Sequence, residues 1–406
     1  MNSLTIVRSE VEELEGIRGW IILYGRRKVG KTFLLRNFVR WDAYVTVRRD
    51  LSIRSEGVEV NSADELVDAA GTVLERGGTL IIDEFQRLPL RMLEDLTAFH
   101  PSGRLILSGS SLGVARKVFE PRSPLLGFFT PFKLSLVRPA DALKALSRTY
   151  EPARAVELAS YLRDPWLVPL CTGEVEDLVY RYACRYWQIV RSLIGEVFAE
   201  EERTLTITYE AILLLLGARR WRLHEIASVL YARGLLREPS SSHVAGFVRN
   251  LVEMDLVRPI KLYGSRRKIY RIKSPIMEAY YYLESKYEVS EREVEYDEVA
   301  PAIQALVRQH VEDFVADLAA QHYRGRREYS LSPEIDFVIT RRGRPVAVGK
   351  VKWGRYTHRD LEAFREKVSK LPGLRLFIAR SKEEDVYKDV YVLDAEDLAS
   401  LRLPEG

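Results

Sequence analysis

One stretch of the sequence, WIILYGRRKVGKTFLL, constrains the fold more than any other. An apolar run, Trp20–Tyr24, predicts a short β-strand, and it is followed at once by Gly25, four further residues and the triplet Gly30-Lys31-Thr32. A run suited to a helix, residues 33–38, comes next. Strand, glycine-rich loop and helix in this order are the context in which a P-loop binds phosphate. The sequence therefore predicts an α/β protein, a P-loop NTPase with a parallel sheet.

The loop offers several phosphate ligands. Glycines at both ends allow backbone N–H groups to point at phosphate oxygens, and the following helix adds the positive end of its dipole. Lys31 is predicted to reach the β- and γ-phosphates, and the Thr32 hydroxyl to bind Mg²⁺. The predicted ATP- or ADP-binding residues are Gly25, Arg26, Arg27, Lys28, Val29, Gly30, Lys31, Thr32 and Phe33.

A second strand supplies acidic groups. The segment GGTLIIDEFQRLP places Asp83 and Glu84 directly after an apolar strand over residues 79–82. Open α/β sheets bind ligands at this carboxyl edge. We predict that Asp83 holds Mg²⁺ together with Thr32, and that Glu84 polarises the attacking water.

A third strand, over residues 104–107, runs into the sequence SGSS. Ser108 or Ser110 is placed to hydrogen-bond the γ-phosphate or water, and Ser108 is the candidate catalytic residue. The alternative is that Ser110 or Ser111 caps the next helix.

Composition narrows the class of protein further. A chain of 406 residues that is 47% hydrophobic and 30% charged predicts two or three folded domains. No apolar run approaches the roughly 20 residues of a membrane span, and the N-terminus has no apolar signal region, so a cytoplasmic protein is predicted. Cys171 and Cys184 are far apart and indicate reduced thiols. Only nine Asn and Gln residues suggest a hot-growing source.

Three short helices and a hairpin are predicted after Thr208, in the order typical of a winged helix-turn-helix. Residues 217–273 contain 13 Lys and Arg against 4 Asp and Glu, an excess that favours the phosphate backbone of double-stranded DNA. The third helix follows a serine N-cap, and Ser242 and Gly246 are predicted to face outward with the DNA-binding candidates. These candidates are His243, Arg249 and Asn250 on the helix and Arg266, Arg267 and Lys268 at the wing tip. The alternative is a domain-packing module with a solvated basic face.

The C-terminal part alternates between apolar and charged residues. A helix through Glu312 precedes the strands EIDFVIT and VAVGKVKW, joined by the turn RRGRP. A side-chain period of two puts Val346, Val348, Lys350 and Lys352 on one face. From Arg324 to Lys352, together with Arg355 and Arg359, there are 10 Lys and Arg against 4 Asp and Glu, so the two lysines are interpreted as facing phosphate.

These motifs together resemble a known family, the archaeal ATPases of the P-loop class that also contains AAA+ proteins and signalling STAND NTPases. The matching segments are Arg8-Ser9-Glu10 to Leu14, LYGRRKVGKT, LIIDEFQRLP, LILSGSS and SPLLG. In that family an arginine usually follows SPLLG, whereas Phe128 stands here. Arg122 or Arg116 is the substitute predicted for the arginine finger.

The resemblance implies four domains and a nuclease-like C-terminus. The predicted boundaries are 1–148 for the ATPase core, 149–204 for a helical lid, 205–287 for the winged helix and 288–406 for a domain similar to PD-(D/E)xK nucleases. In such nucleases Glu312, Asp336 and Lys352 would match the metal-binding and catalytic positions. Lys350 occupies the place of a metal-binding glutamate, and a positive charge there opposes a cation. We therefore predict a degenerate, non-cleaving nuclease, unless Glu362 supplies a migrated carboxylate.

The leading hypothesis is an ATP-hydrolysing molecular switch that uses ATP/ADP and Mg²⁺ and binds double-stranded DNA. An ATP-regulated nuclease is the second hypothesis, and a signalling or defence scaffold with protein partners is the third. The sequence leaves the oligomeric state, the DNA site and the activating signal open.

Overall fold

Two β-sheets organise the chain, one in each of two units. The computed structural model of the protein describes residues 4–60, 62, 65–110, 113, 118–201, 203–382 and 387–405. Residues 8–136 and 195–204 form the first unit, named the P-loop unit. The other described residues form the second, named the C-terminal unit. The finer division into four domains stays a prediction.

The P-loop unit contains a six-stranded sheet in the order β3-β2-β4-β5-β1-β6. The strands are β1 Trp20–Tyr24, β2 Ala43–Val47, β3 Ile53–Glu56, β4 Thr79–Asp83, β5 Arg104–Gly109 and β6 Phe129–Lys133. The predicted parallel pairing is confirmed for five strands, but β3 runs antiparallel to β2, so the sheet is mixed. The helices outside the sheet are α1 Glu10–Gly16, α2 Lys31–Phe38, α3 Leu66–Leu74 and α4 Leu90–Leu96.

Both faces of this sheet are covered by apolar side chains. Alternate residues of a strand point to opposite faces, and the central strands are apolar throughout because each face packs against a core. One core contains Ile22, Ile82 and Leu107, and the other contains Ile21, Ile81 and Ile106. The sheet is therefore a rigid base for the polar residues at its carboxyl edge.

The C-terminal unit begins with helices and ends in mixed α/β structure. Its first helices are α5 Pro139–Leu146, α6 Pro152–Leu162, α7 Val175–Tyr180 and α8 Trp187–Glu200, the last of which ends within the P-loop unit. The three predicted helices and hairpin follow as α9 Ile207–Gly217, α10 Leu223–Ala232, α11 Ser241–Glu253, β7 Val257–Leu262 and β8 Lys268–Ile272. The Ser240 side chain accepts a hydrogen bond from the Ser242 N–H, so the predicted N-cap is confirmed.

The remaining elements complete a seven-stranded sheet in the order β13-β12-β11-β10-β9-β7-β8. They are α12 Pro275–Tyr287, α13 Tyr296–His322, β9 Arg326–Leu331, β10 Glu334–Arg341, β11 Arg344–Lys352, α14 His358–Val368, β12 Leu374–Ala379, β13 Tyr391–Leu393 and α15 Ala395–Ala399. Strand β7 pairs in parallel with β9, with Lys261 opposite Glu328 and Leu262 opposite Tyr329. The hairpin is thus part of the C-terminal sheet, a connection that the sequence did not predict.

Helix α13 has 27 residues, more than any other helix in the described ranges, and includes Pro301 near its start. It carries many charged residues, and none of the helices in the described part of the chain is long and apolar enough to cross a membrane.

Buried charges join the hairpin to α13 in what we name the arginine–carboxylate cluster. The cluster consists of Arg163, Arg258, Arg271 and Arg327 with Glu278, Asp313 and Asp317. Arg258 on β7 lies 2.6 Å from Asp317, and Arg271 on β8 lies 2.7 Å from Asp313. Arg258 and Arg271 contribute to the basic charge that predicted a DNA-binding surface, but in the structure they form ion pairs within the C-terminal unit.

Candidate functional site

The P-loop begins with a close backbone approach and ends in a left-handed residue. A Cβ atom on Gly25 would lie 1.9 Å from the Leu134 carbonyl oxygen, so no other residue fits there. Gly30 has φ 91° and caps α2, which begins at Lys31, two residues earlier than predicted. The loop therefore leads directly into the helix N-terminus, where backbone N–H groups are free to bind an anion.

Lys31 is folded into the loop. It is buried, and its Nζ donates to the Gly25 carbonyl at 2.6 Å and to the Arg26 carbonyl at 3.2 Å. Burial lowers the pKa of Lys31 to about 8, although Glu200, Glu84 and Asp83 partly oppose that shift. A bound phosphate would strengthen the charged form and give the ammonium group better acceptors than two carbonyls.

Thr32 and Asp83 meet although they are 51 residues apart. The Thr32 hydroxyl donates to Asp83 Oδ2 at 2.7 Å, and the buried Tyr44 hydroxyl donates to the same oxygen at 2.9 Å. Burial and the neighbouring Asp83 raise the pKa of Tyr44, so its phenol stays protonated and donates. A hydroxyl and a carboxylate are hard oxygen donors that suit Mg²⁺.

Protein groups alone supply few ligands for such an ion. Within the described residues, no group of three or more His, Cys, Asp or Glu side chains could hold a metal. A magnesium ion at Thr32 and Asp83 would therefore need oxygen atoms from a nucleotide and water to complete its coordination.

Glu84 directly follows β4 in a left-handed conformation, with φ 62°. Its carboxylate accepts from Gln86 Nε2 at 2.9 Å and pairs with Arg87 at 2.8 Å. Gln86 Nε2 also donates to the Ser110 hydroxyl at 3.1 Å. The carboxylate predicted to polarise water is thus held by two neighbours in this structure.

The serine predictions concern the end of β5. Ser108 lies opposite Asp83 in the pairing of β4 with β5, and its buried hydroxyl has no hydrogen-bond partner among the described residues. Ser110 contacts Gln86, whereas Ser111 lies outside the described residues. The roles of Ser108 and Ser110 in catalysis stay predictions.

The candidate arginines are placed differently from one another. Arg122 is exposed, has φ 82° and makes no ion pair with a described residue. Arg116 lies outside the described residues. Arg27 contacts Glu196 and Glu200, each at 3.2 Å.

The other loop residues differ in burial. Arg26 and Val29 are buried, Lys28 is exposed, and Phe33 is 50% exposed.

Sequence reasoning missed two groups beside the P-loop. Tyr44 contacts Asp83, and Glu200 is the charged neighbour that most opposes the lowering of the Lys31 pKa by burial. Burial raises the pKa of Glu200 itself. Glu200 was assigned to the helical lid, and no local pattern in the sequence connects a helix residue to a loop about 170 residues earlier.

The predicted DNA-binding residues fall into two groups. Arg249 and the three wing-tip residues are exposed, and His243 lies 3.5 Å from Glu238. Asn250, however, is half-buried and donates from Nδ2 to the Tyr209 hydroxyl at 2.6 Å. The prediction that Asn250 faces outward is therefore wrong, since its amide packs against α9.

Both lysines of β11 are paired with carboxylates of the same chain. Lys350 Nζ lies 2.8 Å from Asp336 Oδ1, and Lys352 Nζ lies 2.7 Å from Asp360 Oδ1. Burial alone would lower the pKa of Lys350, but Asp336 outweighs it and raises that pKa. The interpretation that the lysines face phosphate is therefore corrected, because the negative groups they face are protein carboxylates.

Glu312 lies near the same pair, whereas Glu362 is exposed on α14. Burial raises the pKa of Glu312 to about 8, and the negative charge of Asp336 adds to the shift. Glu312 is consequently mostly protonated at neutral pH.

Ionisation of Glu312 should destabilise the fold as the pH rises. The folded pKa lies above the ordinary value of 4.5, so the folded state binds more protons and loses stability between these two values. We expect Glu312→Gln to remove about 2 kcal/mol of this loss, allowing for partial solvent screening. Calorimetric melting temperatures from pH 5 to pH 8 measure the difference. A variant with the same pH profile as the wild type would contradict the shifted pKa.

Residues 18–131 match a family described as an AAA domain. This part of the chain is accordingly an AAA-type P-loop ATPase domain. No match is found among curated proteins.

Three solved structures show partial likeness. ORC2 of Aeropyrum pernix, in ADPNP–ADP complexes, is 14% identical, with 78% of this chain and 96% of that chain covered and a TM-score of 0.38. ORC1 of Aeropyrum pernix in complex with DNA is 16% identical, with 71% and 96% covered and a TM-score of 0.29. A STAND protein with a tetratricopeptide repeat sensor from Pyrococcus horikoshii is 13% identical, with 77% and 48% covered and a TM-score of 0.30.

Proposed function

We propose that this protein is an ATP-binding and ATP-hydrolysing molecular switch that binds double-stranded DNA through its C-terminal unit. The observation that carries the ATPase part is the 2.7 Å contact between Thr32 and Asp83 beside the buried Lys31. A hydroxyl, a carboxylate and an ammonium group in this arrangement supply the contacts that a nucleoside triphosphate with Mg²⁺ requires. When bound, the ion would neutralise phosphate charge.

Different residues of the chain bind the phosphates and accept the proton of the attacking water. Backbone N–H groups of the loop and Lys31 bind and orient the phosphates, which is most of the catalysis in phosphoryl transfer. Glu84 accepts a proton from the attacking water once its carboxylate leaves Arg87 and Gln86.

The DNA-binding part rests on the exposed cations of the hairpin tip. Arg266, Arg267 and Lys268 are exposed and form no ion pair with any residue that the structure describes. Lys261 and Lys273, in contrast, pair with Glu328 and Asp255. The tip is therefore able to contact a phosphate backbone, whereas Lys261 and Lys273 are held by carboxylates of the same unit.

Neutralising the wing tip should weaken DNA binding in a salt-dependent manner. Replacing Arg266, Arg267 and Lys268 with glutamine is expected to flatten the slope of log affinity against log salt by up to about three units, at roughly 0.9 per contact. Filter binding of duplex DNA across salt concentrations measures the slope, and the same assay with and without ATP measures the effect of ATP on DNA affinity.

A matched triple variant provides the control. Arg49, Arg76 and Arg91 are exposed residues of the P-loop unit, and their replacement with glutamine removes the same net charge. Equal slopes for the two triple variants would show that the hairpin tip does not contact DNA. Identical DNA affinity with and without ATP would remove the switch from the proposal.

An ATP-regulated nuclease is a second candidate because Glu312 and Asp336 influence each other electrostatically, as the two carboxyl groups of such a site would. The ammonium group of Lys350 lies 2.8 Å from Asp336 and competes with a cation for that carboxylate. A non-cleaving, DNA-holding domain is for that reason the proposal we favour.

A further inference from the structure

The C-terminal end of helix α8 is acidic, and it lies within the P-loop unit. Glu196 and Glu200 are one turn apart near its end, Glu201 follows directly, and the last turn contains no basic residue. The last carbonyl groups of a helix carry partial negative charge, so a carboxylate placed there destabilises the helix by roughly 0.3–1 kcal/mol. These acidic residues therefore do not stabilise α8 itself, and a cation from elsewhere has to compensate them.

The cation that compensates them belongs to the P-loop. Arg27 lies 3.2 Å from a carboxylate oxygen of Glu196 and 3.2 Å from one of Glu200. The two glutamates are four residues apart and so share one face of the helix. Only 21% of the Arg27 side chain and 17% of the Glu200 side chain are exposed. Salt therefore screens the pair of Arg27 with Glu200 less than it would a pair on the surface.

The same helix end contacts the segment that follows β5 at the carboxyl edge of the sheet. Glu201 Oε2 accepts a hydrogen bond from the Gly113 N–H at 3.0 Å. The Ser110 hydroxyl donates a hydrogen bond to Glu200. The end of α8 therefore contacts both the phosphate-binding loop and the neighbouring strand end.

Glu200 also acts on Lys31. It is the charged neighbour that most opposes the lowering of the Lys31 pKa by burial. Burial in turn raises the pKa of Glu200, and the charges of Arg27 and Lys31 partly oppose that shift. One carboxylate thus attracts two cations of the P-loop, and the phosphates of a nucleotide at this loop would be attracted by the same cations.

We propose that the acidic end of α8 competes with the phosphates of ATP for the cations of the P-loop, and so lowers the affinity of this site for ATP. A triphosphate carries more negative charge than the two carboxylates, so it can take over Arg27 and Lys31. In doing so it must displace the carboxylates or bind against their repulsion. This inference rests on the proposed ATP binding and adds to it a regulatory contact within the P-loop unit.

The test is calorimetric titration of the full chain with ATP and Mg²⁺. Glu196→Gln combined with Glu200→Gln is expected to lower the dissociation constant at least about tenfold, or about 1.4 kcal/mol. Glutamine removes both negative charges, keeps the shape of the side chains and forms helices as well as glutamate does. The control combines Glu59→Gln with Glu75→Gln, two exposed residues of the same unit whose side chains form no hydrogen bond or ion pair with a described residue.

A further set of variants shows whether Arg27 is one of the contested cations. In an Arg27→Gln background, the two substitutions on α8 should improve ATP affinity by about threefold or less, because one target of the competition has been removed. The full tenfold improvement in that background would overturn the proposal, since the carboxylates would then act only by general repulsion of phosphate.

Hydrogen exchange of the wild-type protein gives a second, local readout. Competition is reciprocal, so a nucleotide that loses affinity because of α8 must weaken the contacts of α8 to the same extent. Amide exchange over residues 197–201 should therefore become faster when a non-hydrolysable ATP analogue binds. Unchanged or slower exchange would overturn the proposal, because the acidic contacts would then be retained in the complex.

The titrations also separate this inference from the proposed function. Binding of ATP by the wild type, with equal or weaker affinity in the α8 variant, would overturn the competition and leave the ATPase proposal in place. No ATP binding by either the wild type or the α8 variant would overturn both.

Discussion

Replacing Glu84 with glutamine is expected to lower the rate of ATP hydrolysis by at least about a hundredfold while leaving ATP binding nearly unchanged. Glutamine keeps the shape of the side chain and can still contact Arg87, but it cannot accept a proton from water. In the proposed site the phosphates are bound by the loop and by Lys31, which the substitution does not change. Steady-state phosphate release and titration with ATP measure the two effects separately.

Lys31→Ala is instead expected to abolish ATP binding, and ATP hydrolysis with it. The substitution removes the buried ammonium group that contacts the Gly25 and Arg26 carbonyls and would contact phosphate.

Glu75→Gln is the matched control for Glu84→Gln, because it also removes one negative charge. Glu75 is exposed in the same unit and forms no side-chain hydrogen bond or ion pair with a described residue. Wild-type turnover in Glu84→Gln would show that another group activates the water.

The sequence was sufficient to predict the P-loop because its determinants are local. The strand, the two glycines and the helix are contiguous, so one segment contains all of the geometry. The contact between Thr32 and Asp83 spans 51 residues, yet it was predictable because parallel strands end at the same edge of a sheet. The rule that parallel strands end at the same edge of a sheet was enough to predict this contact from the sequence.

Tyr44 and Glu200 could not be predicted in this way. Tyr44 lies within an apolar strand and has the appearance of a core residue, and only the position of β2 beside β4 brings its hydroxyl to Asp83. Glu200 approaches Lys31 because residues 195–204 pack within the P-loop unit. Such contacts depend on tertiary packing, for which neither periodicity nor spacing gives a signal.

The predictions based on net charge were also limited by tertiary packing, which the sequence does not show. The alternation of β11 correctly placed Lys350 and Lys352 on one face, but it could not show that Asp336 and Asp360 lie opposite them. Likewise, Arg258 and Arg271 raised the predicted basic charge of the winged segment, although both are paired in the C-terminal unit. A net charge summed over a sequence segment counts a buried, paired arginine and a solvated arginine equally.

The arginine–carboxylate cluster shows what those paired residues do. Asp313 on α13 accepts from Arg271 on β8 and Arg327 on β9, and so connects the hairpin with the neighbouring strand and the long helix. Burial alone would raise the pKa of Asp313, but Arg271 and Arg327 outweigh it and hold the pKa at about 2. The carboxylate is therefore charged at every pH at which the protein would be used.

Asp313→Asn is consequently expected to destabilise the C-terminal unit strongly. The substitution leaves Arg271 with Glu278 and Arg327 with Asp317 as their remaining acidic partners, and loss of one charge from a buried ion-pair network costs up to about 3–5 kcal/mol. For a domain of this size that corresponds to a fall in melting temperature of roughly 10 °C. Glu366→Ala, an exposed substitution on α14, should leave the melting temperature within about 2 °C of the wild type, as surface changes usually do.

A double substitution separates uncompensated charge from general damage to the core. If the arginines are the cause, Arg327→Met in the Asp313→Asn background should add little further destabilisation or recover part of the loss, because it removes a buried charge that has lost one partner, while Asp317 keeps Arg163 and Arg258. Fully additive losses in the calorimetric melting curves would instead show that each side chain acts independently. The hairpin would then be held to α13 by apolar packing rather than by the carboxylate of Asp313.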